Sequence, residues 1–263
     1  MAKYALRAAG LSYLLFLLVL PVGLICWNTF ADGVSPVIDS LSSPSALHAF
    51  KVTAQVAFFS VVANTVFGVG TAVLLVRHDF PGKRLLNAVI DLSIAVSPVV
   101  VGLALILVYG RFAPLGGWLA DRGIDIIFSL PGMVLATIFV SLPFVAREVV
   151  PTLREIGDEQ EQAARTLGAN SWQTFWRITL PAIRWAVIYG VILTTARCLG
   201  EYGAVAVVSG RLQGETETAT LRVEERYESF DLAGAYAISI VLALIAVLVL
   251  VAMTAIRPKE EAA

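Results

Sequence analysis

Two ionisable residues, Arg197 and Glu201, stand in the apolar stretch ARCLGEYGAVAVVSG. At membrane depth a charge costs about 3 kcal/mol unless it is paired or wet. Their spacing of four residues puts both on one helix face, where each can neutralise the other. Two readings follow. Either Arg197 faces a transport path and helps an oxyanion through, or the pair is a structural ion bridge that holds its helix against neighbours. An acid four residues away would repel an anion, which favours the bridge. Gly200 and Gly203 flank Glu201 and suit close packing or local unwinding.

Most other chemistry is missing. The sequence has no GxxxxGK[ST] to cradle nucleotide phosphates, no HExxH, no Ser/His/Asp pattern and no protease-type pair of intramembrane aspartates. His48 and His78 sit in separate polar segments. Cys26 and Cys198 both fall in apolar runs, which suggests small packed side chains and neither a disulfide framework nor a metal site. The chain therefore offers no catalytic residue and no cofactor site of its own, and any energy source must come from another subunit.

A second stretch suits docking. Asp158 to Pro181, DEQEQAARTLGANSWQTFWRITLP, is the longest polar interruption between apolar runs. Asp158 can cap a helix with Glu161 as its capping-box partner, and the acids Asp158, Glu159 and Glu161 suit the positive end of the helix dipole. Ala163, Ala164 and Leu167 then make a small apolar face, and Gly168 ends the helix. A further turn starts at Asn170 or Ser171 and carries Trp172, Phe175, Trp176 and Ile178 towards Pro181. A short helix with small residues on its apolar face fits a groove on a partner. The rival is an amphipathic helix lying on the membrane, but basic residues are sparse here.

The elements that must position these residues are membrane spans. Of 263 residues, 58% are hydrophobic and only 15% charged, and the mean hydropathy is +0.81. Soluble domains average about 25% charged residues, so this is an all-α integral membrane protein. The net charge of -1 hides an uneven distribution, and no nucleic-acid partner is expected. Six apolar runs are long enough to cross about 30 Å of hydrocarbon: about 11-30, 52-76, 86-109, 130-150, 181-208 and 233-256. The first is too long for the core of a signal peptide and lacks Ala-x-Ala at its end, so it is expected to stay as a helix. Pro98 and Gly102 predict a kink in the third run, and Pro143 interrupts the fourth.

The connections read as a Ser/Pro-rich loop from Ala31 to Phe50, a tight turn RHDFPGKRL, an interfacial loop from Arg111 to Ser129, the polar segment 151-180, and a polar loop from Ser209 to Asp231. That last loop is either solvated or a docking rim for a charged partner. Placing both termini in the cytoplasm puts about two basic residues inside for each one outside. The same topology puts Asp158 to Pro181 in the cytoplasm.

Gln162-Ala163-Ala164, three residues, Gly168, nine residues, then Ile178-Thr179-Leu180-Pro181 resembles the cytoplasmic "EAA" loop of ABC importer permeases. One position departs: Gln162 stands where the family has Glu, with Glu161 just before it. The resemblance implies that Glu161, Gln162, Ala163, Ala164, Arg165, Thr166, Leu167 and Gly168 form the coupling helix that docks on an ATPase subunit. REVVPTLREIGDEQEQAARTLGANSWQTFWRITLP, GEYGAVAVVSG and RLQGETETATLRVEERYESFDLAGAYA together resemble the second permease subunit of bacterial sulfate/thiosulfate importers, from about Phe80 to the sixth run.

The resemblance implies a type I importer fold with one transmembrane domain over 1-263, working by alternating access. It implies a bacterial inner or plasma membrane, a sister permease, a pair of ATP-binding cassette subunits that hold ATP and Mg, and an extracytoplasmic sulfate-binding protein. Rival readings are a molybdate or tungstate permease of the same class and an ion-coupled secondary transporter. The latter more usually shows internal repeats, and none is visible here.

Overall fold

A chain in hydrocarbon must satisfy its backbone internally, and this one does so with helices. The computed structural model describes residues 15–31 and 33–256, with the isolated positions 7, 10, 12 and 13. Leu11, where the first apolar run begins, and the basic residues Lys3, Arg257 and Lys259, which count towards the inside excess when both termini are cytoplasmic, lie outside the described residues. No strand occurs among the described residues.

A π turn, Leu15–Val19, leads into α1 (Leu20–Phe30). The segment read as a loop from Ala31 to Phe50 is largely helical instead. It holds α2 (Ser35–Ser42) and the first turns of α3 (Pro44–Arg77), a helix of 34 residues. The reason is local. Ser43 accepts a hydrogen bond from the Ala46 backbone N–H at 3.3 Å, and Pro44 takes the first helical position, where its missing N–H costs nothing.

The turn after α3 carries Gly82 at φ 97°, open only to glycine without strain. Beside it the Lys83 ammonium, 2.7 Å from Asp79, holds that carboxyl below the usual range. Next come α4 (Lys83–Ala95) and α5 (Pro98–Tyr109), bent by 115° where Val96 and Ser97 precede Pro98. The short α6 (Pro114–Ala120) follows.

Then α7 (Leu130–Ser141) and α8 (Pro143–Ile156) form one apolar rod of 27 residues, Leu130–Ile156, interrupted at Pro143. Proline has no N–H to give, and the Leu142 N–H reaches Phe139 instead of Ile138. The freed Ile138 carbonyl is taken by Asn64 of α3, whose Nδ2 donates to it at 3.2 Å and to Ser141 Oγ at 2.8 Å. Asn64 and Ser141 are fully buried.

After Gly157 come α9 (Glu159–Thr166), the single turn α10 (Ser171–Thr174) and a π turn, Phe175–Thr179. The π turn precedes Pro181, and the Leu180 N–H donates to Phe175, five residues back. From there α11 (Leu180–Leu199) climbs through the fold. The run read as one span over 181-208 is two helices, because α11 stops at Leu199 and α12 (Gly203–Val208) starts after a break. The loop Ser209 to Asp231 contains α13 (Ala219–Glu228), and α14 (Leu232–Ile256) closes the fold.

Among the described residues four rods are long and apolar enough to cross a membrane: Pro44–Arg77, Leu130–Ile156, Ser171–Leu199 and Leu232–Thr254. Two bent pairs, Leu15–Phe30 with Ser35–Ser42 and Lys83–Ala95 with Pro98–Tyr109, bring the number to six if each counts as one span.

Two apolar clusters hold these rods together. One joins Val52 and Val56 of α3 to Met133 and Ala136 of α7, Ala204 and Val205 of α12, and Leu221 of α13. The other joins Val69, Ala72 and Leu75 of α3 to Ile90 of α4, Val145, Val149 and Leu153 of α8, and Ile183 of α11. The helix α9 is tied to the rods of this second cluster by hydrogen bonds from Arg77 and Thr179 to Glu161.

Candidate functional site

The polar stretch folds as two short helical pieces with an outward and an inward side. Asp158 occupies the N-cap of α9, but its side chain makes no capping bond. It accepts from Gln162 Nε2 at 2.8 Å instead. The expected capping box with Glu161 does not form, because Glu161 is turned inward. Its Oε2 receives Arg77 Nε at 3.0 Å, and its Oε1 receives Thr179 Oγ1 at 2.9 Å.

At the other end, Gly168 has φ 85° and terminates the helix in the left-handed conformation, with the Ala169 N–H returning to the Ala164 carbonyl at 3.0 Å. The next turn begins at Asn170. Asn170 and Gln173 make a reciprocal capping box, 2.8 Å from the Gln173 N–H to the Asn170 side chain and 3.1 Å in return.

The eight sequence candidates therefore divide. Glu161 and Ala164 are buried against the body of the fold. Gln162, Ala163, Arg165, Thr166, Leu167 and Gly168 are exposed. Ala163, Ala164 and Leu167 do not share one face as expected, because Ala164 points inward and Leu167 is 89% exposed. Trp172 and Trp176 are also exposed, edge to face with ring centroids 5.5 Å apart. Leu167 and the two indoles are exposed large apolar groups, of a kind that serves contact with a partner.

Arg197 and Glu201 do meet, as their spacing predicted, with Arg197 Nη1 on Glu201 Oε2. They lie near the far end of α11, about 25 Å along the helix from Leu180. The Glu201 side chain is 2% exposed and that of Arg197 32%. Glu201 Oε1 also accepts the Ala204 N–H at 2.9 Å, and its carbonyl accepts Thr220 Oγ1 at 2.8 Å. The pair thus spans the break between α11 and α12 and ties it to α13. Geometrically it is a stitch.

Sequence reading missed a second buried pair. Arg222 Nη1 donates to Glu217 at 2.9 Å and Nη2 to Ser45 Oγ at 2.6 Å, with side-chain exposures of 1% and 4% for Arg222 and Glu217. Burial pushes the Glu217 carboxyl up from its usual range, while Arg222 pulls it down. Thr53 of α3 accepts the Ala219 N–H at 2.8 Å. The segment after α12 is therefore not simply a solvated loop, since its core is clamped onto the start of α3. Only its local Glu-Thr richness and the five-residue Glu217–Arg222 spacing could have signalled this. Among the described residues no three His, Cys, Asp or Glu side chains gather as a metal site.

With this geometry in hand, comparison places the chain. The family described as "Binding-protein-dependent transport system inner membrane component" matches residues 64–261. The sulfate transport system permease protein CysW of Synechocystis sp. is 50% identical over 249 residues, covering 95% of this chain and 90% of that protein. The protein of the same name from Escherichia coli K12 is 45% identical over 248 residues, covering 94% and 85%. The crystal structure of a bacterial alginate ABC transporter in complex with an alginate pentasaccharide-bound periplasmic protein contains a chain of the same fold. Its TM-score is 0.78 at 15% identity, with 96% of this chain and 92% of that one covered. The chain belongs to the binding-protein-dependent transport system inner membrane components, in the branch that holds the sulfate transport system permeases.

Proposed function

We propose that this chain is the membrane-spanning permease subunit of an ATP-driven importer that moves sulfate, and thiosulfate with it, into the cell. The observation that carries this reading is likeness along nearly the whole length, at 50% identity, to a permease named for sulfate transport. That likeness favours sulfate over molybdate or tungstate. The chain itself translocates and does not hydrolyse. ATP and Mg bind a partner.

In this reading the two bent helix pairs are spans, giving six in all, and both termini face the cytoplasm of a bacterial inner membrane. A sister permease completes the pore by pseudo-two-fold symmetry, two ATP-binding cassette subunits sit beneath, and an extracytoplasmic binding protein delivers the anion. Helix α9 is the coupling element. Its support is structural: a short helix with an exposed outer side, held by its inner side to the ends of three long rods. ATP must stabilise one of two permease states more than the other, and a docked helix tied to the rods is a means of doing so.

The test is reconstitution. This chain, its sister, the ATPase and the binding protein are placed in proteoliposomes with ATP inside the compartment that faces α9. The expected result is ATP-dependent sulfate accumulation that needs every component. Sulfate uptake driven by an ion gradient without the ATPase would overturn the reading.

A further inference from the structure

Arg77 is the last residue of α3, and all three guanidinium nitrogens are engaged. Nε donates to Glu161 Oε2 at 3.0 Å. Nη1 donates to the Leu153 carbonyl at 3.0 Å and Nη2 to the Gly157 carbonyl at 2.6 Å. Those two carbonyls belong to the last turn and the exit of α8, where helical carbonyls lack partners of their own. Gly157, at φ 71°, lets the chain leave α8 and enter α9 at that point. The other carboxylate oxygen of Glu161 takes the Thr179 hydroxyl from the π turn that opens the rod of α11.

One carboxylate and one guanidinium therefore join four elements: α3, α8, α9 and the foot of α11. Both side chains are nearly sealed, at 11% and 8% exposure for Arg77 and Glu161. Screening by solvent is weak there, and charge-assisted bonds are strong and directional. The planar fork fixes directions as well as distances, which an ammonium could not. Just above, the apolar cluster of Val69, Ala72, Val145, Val149, Leu153 and Ile183 locks α3, α8 and α11 to each other.

We propose that Arg77 and Glu161 form the transmission joint of the transporter: Glu161 is not a docking residue but the anchor by which movement of α9 reaches three spanning rods, with Arg77 as the positioning residue that makes the anchor rigid. This rests on the reading of α9 as the coupling element. Docking and transmission are divided between the two sides of one short helix. The outer side, led by Leu167, meets the ATPase, and the inner side passes the displacement on. Without the joint, α9 can follow the ATPase while the rods lag, so ATP is spent with less transport.

The experiment uses the full importer in proteoliposomes with the binding protein and sulfate, measuring ATPase retention on purification, ATP hydrolysis and sulfate moved per ATP. Arg77→Gln should retain the ATPase subunit and hydrolysis while sulfate per ATP falls by about tenfold, within the range that loss of a coupling element produces. Thr179→Val, which removes one bond and keeps the shape, should lower the ratio in the same direction by a smaller factor. It keeps the test alive if Arg77→Gln does not accumulate. An unchanged ratio overturns the joint. Loss of the ATPase subunit in Arg77→Gln also overturns it, because the pair would then be needed to form the docking helix. Leu167→Asp separates the two levels. If it leaves ATPase binding and transport intact, the reading of α9 fails. If it releases the ATPase while Arg77→Gln transports normally, only the joint fails.

Discussion

A Cβ built on Gly190 would stand 2.8 Å from the Cα of Val145, so α11 and α8 meet backbone to backbone with no space between them. Gly68 of α3 approaches the same residue, with its virtual Cβ 2.7 Å from the Val145 Cβ. Val145 is wedged between two glycines just after the Pro143 break. Small residues at such crossings let rods approach within van der Waals range, the main attraction available between helices in lipid.

Adding a methyl group at either contact should therefore destabilise. Gly→Ala gains up to about 1 kcal/mol in helix propensity, whereas overpacking costs about 1–3 kcal/mol. The net is expected to be unfavourable, because the clashing atoms are backbone or the stem of a β-branched side chain. Gly68→Ala and Gly190→Ala should lower Tm in detergent. Gly70→Ala, where nothing lies within 4 Å, should leave Tm unchanged or raise it.

Asn64 and Pro143 form a matched pair. Asn64→Leu strips the donor from the carbonyl that Pro143 frees and leaves Ser141 with one partner fewer, at a cost of about 1–3 kcal/mol. Pro143→Ala restores a backbone N–H near the break. In the double variant Asn64→Leu should cost less than it does alone, and a double-mutant cycle of Tm values reads the difference. Strict additivity would show that the two are unrelated.

Breaking the Arg222–Glu217 pair leaves a buried carboxylate without its counter-charge. Arg222→Met should cost about 3–5 kcal/mol, whereas Arg222→Met with Glu217→Leu should recover much of that. The single variant should also show a stronger pH dependence than the unaltered protein. Burial already raises the Glu217 carboxyl, and removing Arg222 raises it further. A raised folded-state value means that the protonated group's contribution is fully present below the unfolded value of about 4.3. It is lost as pH rises through the folded value, so Arg222→Met should be most stable at the acid end. Unfolding midpoints taken across pH check the sign.

Local rules carried the sequence reading where the deciding partner was close in the chain. Gly168 ends α9 because only a left-handed residue fits there, and Arg197 pairs with Glu201 one helical turn away. Pro143 marks a real break. The rest turned on distant partners. Glu161 looked like a capping acid for Asp158, but Arg77, 84 residues earlier, draws it inward. Arg77 itself read as one more basic residue flanking a span. The segment around Arg222 reads as either a solvated loop or a docking rim, because the partner that buries it, Ser45, lies 177 residues away. The fifth apolar run reads as continuous because hydropathy does not register a three-residue unwinding over Gly200, Glu201 and Tyr202, which only the flanking glycines hint at.

The outer side of α9 gives the most local functional prediction. Leu167→Asp places a charge where an 89% exposed leucine stands, without touching the inward Glu161 or Ala164. It should abolish co-purification of the ATPase subunit while the chain still accumulates in the membrane. Ala164→Glu must fit a carboxylate into the inward side and should uncouple transport by displacing the helix. Transport and stimulated hydrolysis that both survive it would contradict the assignment of α9.

Sulfate import through this chain is tested by uptake of labelled sulfate in cells with and without it, challenged by excess thiosulfate, molybdate or tungstate. Uptake should be lost without the chain, and in its presence thiosulfate should compete and molybdate should not. Intact sulfate uptake with lost molybdate uptake would contradict the substrate and leave the permease architecture standing.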